Sequence, residues 1–428
     1  MKKWLLLAFL CGAYFFHQAD RAIFGVLTPE IERDLSLTDQ QFGWINLALS
    51  WMIAIVTPCA GVIAARWSRK WIITGSILFW SVATSLIGFV GHALVIGGVA
   101  ISAFALLMVL RAIAVGGGES FYGPAAMSLL SFYHRRTRSL AFSIHQASLY
   151  LGLMLSGVFV AWALKVLPSW RGVFVLFGAA GIILGFLFIF FLPSHSLAPS
   201  SPSTSPCATT PAHPAALSLL GSFFRNPSAL LATTGFIAIV SANNAYLFWG
   251  VKFATVKFAA MGVTEASAKT ATMFVHHIFA FGAILLGGII TDRFVKRYPR
   301  FRLGFQIVSL LVGAPILVWL GFAPSWTSFL VAGALYGVSR GFFEVNTHAS
   351  VFDVIAPEGR STAVGCMLFV AFLIGGVLGG WAMGELSHAF GQRGLEIGFA
   401  LTGGLYALAA VLMSISFFFT FRRDRIVE

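Results

Sequence analysis

Apolar segments long enough to cross a lipid bilayer recur along the whole 428-residue sequence. A spanning helix needs roughly 20 apolar residues to cross about 30 Å of hydrocarbon. Charged residues make up only 10% of the chain, against about 25% in soluble globular domains, so most of the surface must face lipid. The sequence therefore predicts an all-α membrane protein with twelve transmembrane helices. The predicted spans are 4–27, 41–65, 71–90, 99–127, 139–163, 172–192, 228–253, 268–291, 303–322, 327–350, 363–384 and 395–420.

The basic residues indicate how these helices are oriented. Most of the 28 Lys and Arg residues lie in segments that share a side with both termini, and the positive-inside rule assigns that side to the cytoplasm. The sequence thus predicts a multi-pass protein of the cell (inner or plasma) membrane with both termini cytoplasmic. The basic residues are scattered between spans, so the net charge of +13 does not predict binding to nucleic acid.

One polar tract divides the chain into two sets of six spans. Residues 193–216, PSHSLAPSSPSTSPCATTPAHPAA, are rich in Ser, Pro, Thr and Ala. Such a composition cannot bury a core and is typical of a flexible linker. The sequence therefore predicts an N-terminal six-helix bundle over residues 1–192, a cytoplasmic flexible linker over 193–227 and a C-terminal six-helix bundle over 228–428.

A short motif recurs after the second and the eighth predicted spans. Both copies follow the pattern G-x-x-x-x-R-x-x-basic-basic, and each lies on a short connection predicted to be cytoplasmic. Any short cytoplasmic loop gathers Lys and Arg, but the shared glycine and the fixed spacing favour an internal repeat. The motif residues are Gly61, Arg66 and Arg69 in the first copy and Gly288, Asp292 and Arg293 in the second.

Two six-helix halves, a central linker and this loop motif together resemble the major facilitator superfamily. The resemblance implies two pseudo-symmetric helical bundles and transport by alternating access, with the loop motif acting in gating. The family motif has the form G-x-x-x-D-R-x-G-basic-basic, and the second copy keeps its acid as Asp292. The first copy departs from the family pattern, because Ala65 stands where Asp is expected and Ser68 where Gly is expected.

Charged side chains inside the predicted spans mark the candidate site, because a charge near the bilayer centre costs at least about 2.5–3.5 kcal/mol. Arg111 and Glu119 in span four are eight residues apart, which places them on nearly one helix face, about 12 Å apart along the axis. The three glycines between them loosen the helix and allow close approach of neighbouring backbones. The full set is Asp20, Arg21, Arg111 and Glu119 in the first half, and Arg340 and Glu344 in the second, with Lys252 as a weaker candidate.

These charges have two interpretations. In the first, the acids and arginines neutralise one another as a buried network that holds span one to span four. In the second, Arg21 or Arg111 attracts an anionic substrate while Asp20 or Glu119 takes up and releases a proton, because burial and nearby arginines tune the pKa of a carboxyl group. The two interpretations are compatible, and the sequence leaves both open.

Two sequence stretches narrow the resemblance. HQADRAIFGVL in span one and GGGESFYGPAAMSLLSFY in span four are similar to the organic anion–cation symporters and to the spinster-like lysolipid and sphingolipid carriers. Both groups carry an Asp-Arg pair in span one and an Arg with a downstream Glu in span four, which Asp20, Arg21, Arg111 and Glu119 match. The spacing from Arg to Glu is one residue longer here than in either group, which leaves the role of Arg111 open.

Neutral polar residues extend the candidate site into other spans. Each one separately is more often a hydrogen bond between helices, worth under about 2 kcal/mol, than a substrate contact. Their concentration on spans that line the central cavity of the resembling family favours a role in substrate binding or coupling. Histidines on spans five, eight and ten lack the spacing and the acidic partners of a metal site, so no metal is predicted. The polar candidates are Tyr122, Gln146, Tyr150, Asn243 and Asn244.

Together these features predict a secondary active transporter of a small organic anion, which works by alternating access and is coupled to protons or sodium ions. A carrier of lysolipids or other amphiphiles is the alternative within this class. A transport-dead membrane sensor and a polytopic membrane enzyme are the alternatives from other classes, but the loops are too short for a catalytic constellation and an enzyme is not predicted.

The pattern G-x-x-x-x-G-K-[ST] is absent from the sequence, which excludes direct coupling to ATP. Apart from a small-molecule substrate, a coupling ion and the bilayer, no cofactor or nucleic-acid partner is predicted, and a monomer is expected.

Overall fold

The computed structural model describes residues 3–96, 98–134, 137–192, 216–356 and 359–426. Of residues 61, 62, 64–66, 96, 138, 139, 216–219 and 361 it describes the backbone only. Helices dominate the structure, as expected where every backbone N–H and C=O must be paired inside a membrane. The predicted flexible tract over residues 193–215 lies outside the described residues.

The helices of the first half, residues 3–192, follow the predicted spans, with an added short helix after span one and a hairpin before span four. They are α1 (Lys3–Val26), α2 (Thr28–Leu35), α3 (Asp39–Arg66), α4 (Arg69–Ile87), β1 (Ala93–Ile96), β2 (Val99–Ser102), α5 (Ala103–Leu107), a π-helical segment (Met108–Val115), α6 (Gly116–Glu119), α7 (Tyr122–Tyr133), α8 (Arg138–Val166) and α9 (Trp170–Phe191).

The second half, residues 216–426, continues the pattern with π-helical segments in its last two spans. Its elements are α10 (Ala216–Phe224), α11 (Pro227–Phe258), a 3₁₀ turn (Ala259–Met261), α12 (Glu265–Phe294), α13 (Phe301–Gly321), α14 (Trp326–Glu344), α15 (Thr347–Phe352), α16 (Arg360–Gly376), a π-helical segment (Val377–Trp381), α17 (Ala382–Phe390), α18 (Gln392–Ile415), a π-helical segment (Ser416–Thr420) and α19 (Phe421–Asp424).

Ten helical stretches of the described chain are long and apolar enough to cross a membrane. Two further helices, α1 and α14, complete the twelve spans, and each carries an arginine and an acid within the helix. These charges lower the hydropathy of the two helices without shortening them below a membrane crossing. The fold is that of a twelve-helix membrane protein, and the predicted fold class is confirmed.

Polar caps explain where several helices begin. Thr38 and Gln41 form a capping box at the start of α3, in which each side chain accepts a hydrogen bond from the backbone N–H of the other. Asn226, Thr264 and Ser325 accept from the N–H group three residues on at the starts of α11, α12 and α14. Such caps satisfy N–H groups that the first turn of a helix leaves unpaired.

Span four differs from the predicted single helix over residues 99–127. Residues 99–102 form strand β2, which pairs antiparallel with β1, and Gly98 turns between them with a φ of +84°. The helical part runs instead from Ala103 to Tyr133, in four pieces that include the π-helical segment. Glycine reaches a positive φ without strain, and a π-helical turn encloses one residue more than an α-helical turn. Neither feature changes the hydropathy from which the span was predicted.

The two halves repeat the same pattern of helix packing. In the first half α4 packs on α9 and α1 packs on α8, and in the second half α13 packs on α18 and α11 packs on α16. In the first half these contacts join span three to span six and span one to span five. In the second half they join the corresponding spans, nine to twelve and seven to eleven. The contacts between the halves are also paired, because α8 packs on α12 and α3 packs on α16 and α17. The repeat predicted from the loop motif is therefore visible in the packing.

Part of the range predicted as linker is helical. Within residues 193–227 the described chain includes α10, which packs against α16. The Asn226 side chain then donates to the carbonyl of Val354 at 2.8 Å. The chain is thus anchored to the second half before α11 begins at Pro227.

Candidate functional site

Ion pairs join the two halves at the end of the molecule that carries α2, named here the α2 end. Lys269, near the start of α12, donates to Glu30 of α2 at 2.5 Å and lies 3.4 Å from Glu265. The Lys269 side chain is only 1% exposed, so its charge is neutralised by these acids rather than by water. Arg33 of α2 also reaches across to Glu265, at 2.8 Å, but this second pair is exposed.

A second bridge lies beside the first. Lys252 of α11 pairs with Glu32 of α2 at 2.6 Å and also with Asp39 at the start of α3. Ser387 of α17 donates to the other carboxylate oxygen of Asp39. Lys252, the weaker candidate from the sequence, therefore belongs to the contact between the halves.

Further contacts between the halves lie deeper in the molecule. Trp51 of α3 donates through Nε1 to the carbonyl of Leu373 at 3.0 Å. Asn244 of α11 is buried and donates to the hydroxyl of Ser50 at 3.3 Å. The halves are thus joined from the α2 end towards the middle of the bundle.

Arg111 and Asp20 form a buried pair that connects spans one, three and four. Arg111 Nη1 lies 3.6 Å from Asp20 Oδ2, and Thr84 of α4 donates to the same oxygen at 3.0 Å. Arg111 Nη2 donates to the carbonyl of Arg21 at 2.9 Å, and its guanidinium lies 5.2 Å from the ring centroid of Phe24. The Arg111 side chain is 0% exposed, so its position fits the interpretation of a network that holds helices together.

Glu119 and Arg21 form a second pair that borders the space between the halves. Glu119 Oε2 lies 3.7 Å from Arg21 Nε and 3.7 Å from His17 Nε2. Among the described residues, neither oxygen of Glu119 has a hydrogen-bond donor and Arg21 Nε has no acceptor. Glu119 is 1% exposed and Arg21 is 16% exposed. The Arg21 guanidinium also lies 6.0 Å from the ring centroid of Phe372 in the second half.

The π-helical segment of span four brings Arg111 and Glu119 onto one side. Arg111 lies within this segment and Glu119 ends α6. In a regular α-helix, eight residues turn about 80° beyond two full turns, whereas seven residues stop about 20° short of them. A π-helical turn absorbs one residue, so the spacing of eight acts like a spacing of seven and both side chains reach α1.

Two of the three glycines in span four are needed for close helix packing. A Cβ atom on Gly118 would lie 2.8 Å from the Phe79 ring, and one on Gly116 would lie 2.8 Å from Leu49. A Cβ atom on Gly117 would meet its nearest neighbour at 3.5 Å, which is an ordinary contact. Spans two and three therefore lie against the glycine run, which fits the close approach of neighbouring helices that the glycines allow.

A cluster of aromatic and histidine rings lies beside the Glu119–Arg21 pair. Tyr14 stacks on His145 with 4.3 Å between ring centroids, and the Tyr122 hydroxyl lies 3.0 Å from His145 Nε2. His17 faces the Tyr122 ring at 5.8 Å. Tyr14 and His17 are not predicted from the sequence. The sequence does contain an indication of them, because Tyr14, His17 and Arg21 are three, four and seven positions apart and residues at these spacings share one face of a helix.

Arg340 and Glu344 form the corresponding pair in the second half. Arg340 Nε donates to Glu344 Oε1 at 2.7 Å, and Arg340 Nη1 lies 3.3 Å from His276 Nε2. Tyr150 of the first half donates to the other oxygen of Glu344. A hydrogen bond to a charged group contributes about 1.5–3 kcal/mol, so this contact is a strong link between the halves at the site.

The other predicted residues lie at the edge of the site or in the loop motif. Gln146 and Asn243 are half-buried, and Asp292 and Arg293 are exposed at the end of α12. A Cβ atom on Gly288 would lie 3.7 Å from Val345, which directly follows α14, and Arg69 begins α4. The side chains at positions 61 and 66 lie outside the described part of the structure. Across the described residues, no group of three or more His, Cys, Asp or Glu side chains could hold a metal ion.

Residues 10–365 match the sequence model of the Major Facilitator Superfamily. Protein spinster homolog 1 from Bos taurus is 24% identical over 412 residues, which covers 90% of this chain and 72% of that protein. A shorter match, 27% identical over 188 residues, links the chain to the probable galactarate/D-glucarate transporter GudP of Bacillus subtilis (strain 168). It covers 44% of this chain and 40% of that protein.

A solved structure shares the fold. The crystal structure of a bacterial homolog to the human lysosomal transporter Spinster, in an inward-facing and unoccupied conformation, superposes with a TM-score of 0.83 at 19% identity. The superposition covers 100% of this chain and 99% of that one. The family model spans most of the chain, and the twelve spans, the paired halves and the repeated loop motif agree with it. The chain is therefore a multi-pass membrane transporter that belongs to the Major Facilitator Superfamily.

Proposed function

We propose that this transporter carries a small organic anion by alternating access and that Arg21 is the anion contact. The supporting observation is the state of Arg21, which is partly exposed between the halves and has no acceptor for its Nε among the described residues. A guanidinium is always charged and binds a carboxylate through two parallel hydrogen bonds. Arg111 is the weaker candidate, because its side chain is wholly buried against Asp20.

Glu119 is the proposed coupling residue. Its buried carboxylate lies 3.7 Å from Arg21 and offsets the charge of this arginine while no substrate is bound. A substrate anion at Arg21 would compete for the same positive charge. A buried carboxylate that loses its partner takes up a proton rather than stay charged. Substrate binding would thus drive proton uptake at Glu119.

The second half supplies the proposed closing contact. Arg340 is paired with Glu344, and Tyr150 reaches Glu344 across the interface. An anion bound between Arg21 and Arg340 would draw both halves towards itself, and release of the Tyr150 hydrogen bond would accompany their separation. Gln146, Asn243 and the other neutral residues are proposed to contact the polar groups of the substrate.

For the topology and assembly we propose what the sequence predicts. We place the protein in the cell (inner or plasma) membrane as a monomer with both termini in the cytoplasm. On this orientation the α2 end faces outwards, and the observed arrangement, joined by Lys269 and Lys252, is closed to the exterior.

The similarity to a probable galactarate/D-glucarate transporter supports an organic acid as the substrate, since both of these sugar acids are small dicarboxylates. A lysolipid or amphiphile carrier is the second candidate. It is favoured by the longer similarity to Protein spinster homolog 1 and by the half-buried ring of Tyr14 beside the charged pair, which would suit an amphiphile with a charged head.

Proteoliposomes with an imposed pH or sodium gradient test these proposals. We expect counterflow of an organic acid, uptake driven by the pH gradient, and loss of both in Arg21→Gln. Glu119→Gln should lose gradient-driven uptake and keep exchange, because a permanently neutral residue cannot carry the proton. Glu396→Gln is the matched control, because this acid lies away from the site and pairs with Lys257 at 2.8 Å.

Three outcomes would contradict the proposals. Uptake that follows sodium and ignores pH would remove the proton from the mechanism. Unchanged pH-driven uptake in Glu119→Gln would remove Glu119 as its carrier. Transfer of a fluorescent lysophospholipid between leaflets, without counterflow of any organic acid, would establish the second candidate instead.

A further inference from the structure

A groove on the surface of the second half lies between α13 and the end of span twelve. It has a volume of about 730 Å³. Its walls are largely aromatic and are formed by Phe301, Phe305, Phe417 and Phe421. Ligand sites are typically about 300–1,000 Å³ in volume. This groove is therefore large enough for a head group with the upper part of an acyl chain, and it does not include the charged pairs of the central site.

Three arginines line the same groove, namely Arg300, Arg422 and Arg425. Arg300 directly precedes α13, and the other two lie at the end of span twelve, so all three sit where the spans leave the hydrocarbon. Desolvation and the charge of Arg422 lower the pKa of Arg300, which indicates that the two guanidinium groups are close enough to repel one another. An anion between them would relieve this repulsion.

Neighbouring arginines on the same surface are already neutralised. Arg302 pairs with Asp353 at 2.6 Å, and Arg423 pairs with Asp424 at 2.9 Å. Among the described residues, the two paired arginines do not line the groove, and no ion pair holds Arg300 or Arg422. Arg425, the third arginine of the groove, also acts on the Asp353 carboxylate. Arg422 and Arg423 are adjacent in the chain, but of the two only Arg423 is held in an ion pair among the described residues.

The apolar part of the groove continues into the lipid-facing surface. Val308 lines it and is 56% exposed, and Phe418 beside it is 66% exposed. A soluble anion would leave these walls uncovered, whereas an acyl chain would cover them. Basic pockets between membrane helices near the membrane surface bind the phosphate-containing head groups of anionic lipids.

We propose that this groove binds an anionic glycerophospholipid. The head-group phosphate is held by Arg300, Arg422 and Arg425 through charge-assisted hydrogen bonds. One acyl chain lies between Phe305 of α13 and Phe417 of the π-helical segment. The bound lipid would bridge spans nine and twelve and stabilise their packing.

The test uses the purified full-length protein in detergent and measures its thermal unfolding with added lipid. Phosphatidylglycerol and phosphatidylcholine with identical acyl chains are compared, and inorganic phosphate and glycerol phosphate serve as soluble head groups. We expect stabilisation by phosphatidylglycerol at concentrations where the other three have little effect. Arg422→Gln should weaken apparent binding of phosphatidylglycerol about fivefold, the effect of one arginine at a membrane surface, while Arg423→Gln should change it less than about twofold.

Val308→Trp fills the apolar part of the groove and leaves all three arginines in place, so it should also abolish the preference for phosphatidylglycerol. Unfolding of each variant in phosphatidylcholine checks that the fold is retained. The proposal is overturned if Arg423→Gln weakens binding as much as Arg422→Gln, which would indicate diffuse attraction to the basic surface. It is also overturned if inorganic phosphate stabilises the protein as well as the lipid does.

Discussion

Lys269→Gln tests whether the ion pairs at the α2 end hold the two halves together. In the native protein Lys269 lies 2.5 Å from Glu30 and 3.4 Å from Glu265. The substitution leaves these two acids at the interface without their cation, whereas separation of the halves would return them to water. The variant should therefore favour a state that is open at the α2 end.

The burial of the pair sets the size of the effect. Removing one partner of a buried ion pair costs about 3–5 kcal/mol. The lower value applies here, because Glu30 and Glu265 are 15% and 43% exposed and keep part of their hydration. A cost of about 3 kcal/mol corresponds to roughly a hundredfold shift in the equilibrium between joined and open states.

Arg33→Gln is the matched control. Arg33 also crosses the interface to Glu265, but the two side chains are 62% and 43% exposed. Exposed pairs contribute about 0–1 kcal/mol, so this variant should shift the equilibrium by less than about fivefold.

Spin labels at Val166 and Met261, one in each half near the α2 end, report the separation. Both side chains are exposed, and the labels are introduced after replacement of Cys11, Cys59, Cys207 and Cys366. Pulsed dipolar spectroscopy should show a short distance in the native protein and in Arg33→Gln, and a longer one in Lys269→Gln. Equal distributions in the two variants would refute the argument that burial makes the Lys269 pair the stronger link.

Four further predictions follow from the same structure. Desolvation raises the pKa of Glu30, and Lys269 opposes this rise. An acid whose pKa is raised in the joined state stabilises that state below its ordinary pKa of about 4.3, and this effect is lost as the pH rises through the raised pKa. Acid should therefore restore the short distance between the spin labels in Lys269→Gln. Arg111→Ala should lower the free energy of unfolding in detergent by about 3–5 kcal/mol, and adding Asp20→Asn should recover part of it, because the buried charge is then removed. Gly118→Ala should lower the free energy of unfolding by about 1–3 kcal/mol through overpacking. Gly117→Ala should be tolerated in the same unfolding assay, because a Cβ atom there would meet its nearest neighbour at 3.5 Å. Tyr150→Phe should raise the long-distance population at least about tenfold, because it loses a hydrogen bond to a charged group.

Much of the fold could be read from the sequence because lipid imposes a simple rule on it. Each span had to be an apolar helix of sufficient length, and ten of the twelve are apolar enough to stand out on that criterion. The boundaries were wrong where that rule does not apply. Residues 99–102, predicted as part of span four, are apolar but pair as a strand outside its helical part.

The candidate site was only partly predictable. The charged residues of spans one and four stood out because charge inside a membrane is costly, and the structure does bring them together. Which arginine faces the space between the halves could not be derived, since Arg21 and Arg111 have equal charge and similar sequence surroundings. Tyr14 and His17 went unnoticed because single aromatic or histidine residues are ordinary in an apolar helix.

The sequence by itself determined that this chain lies in a membrane, that it forms twelve spans in two related halves and that its charges gather on spans one and four. These are local or additive properties, fixed by hydropathy, helix length and repeated motifs. Only the tertiary structure decided that Arg111 is buried against Asp20, that Arg21 and Glu119 border the interface, and that Lys269 and Lys252 join the halves. The physical reason is that exposure and pairing depend on which helix faces meet, and in span four a π-helical turn, which hydropathy does not reveal, sets that face.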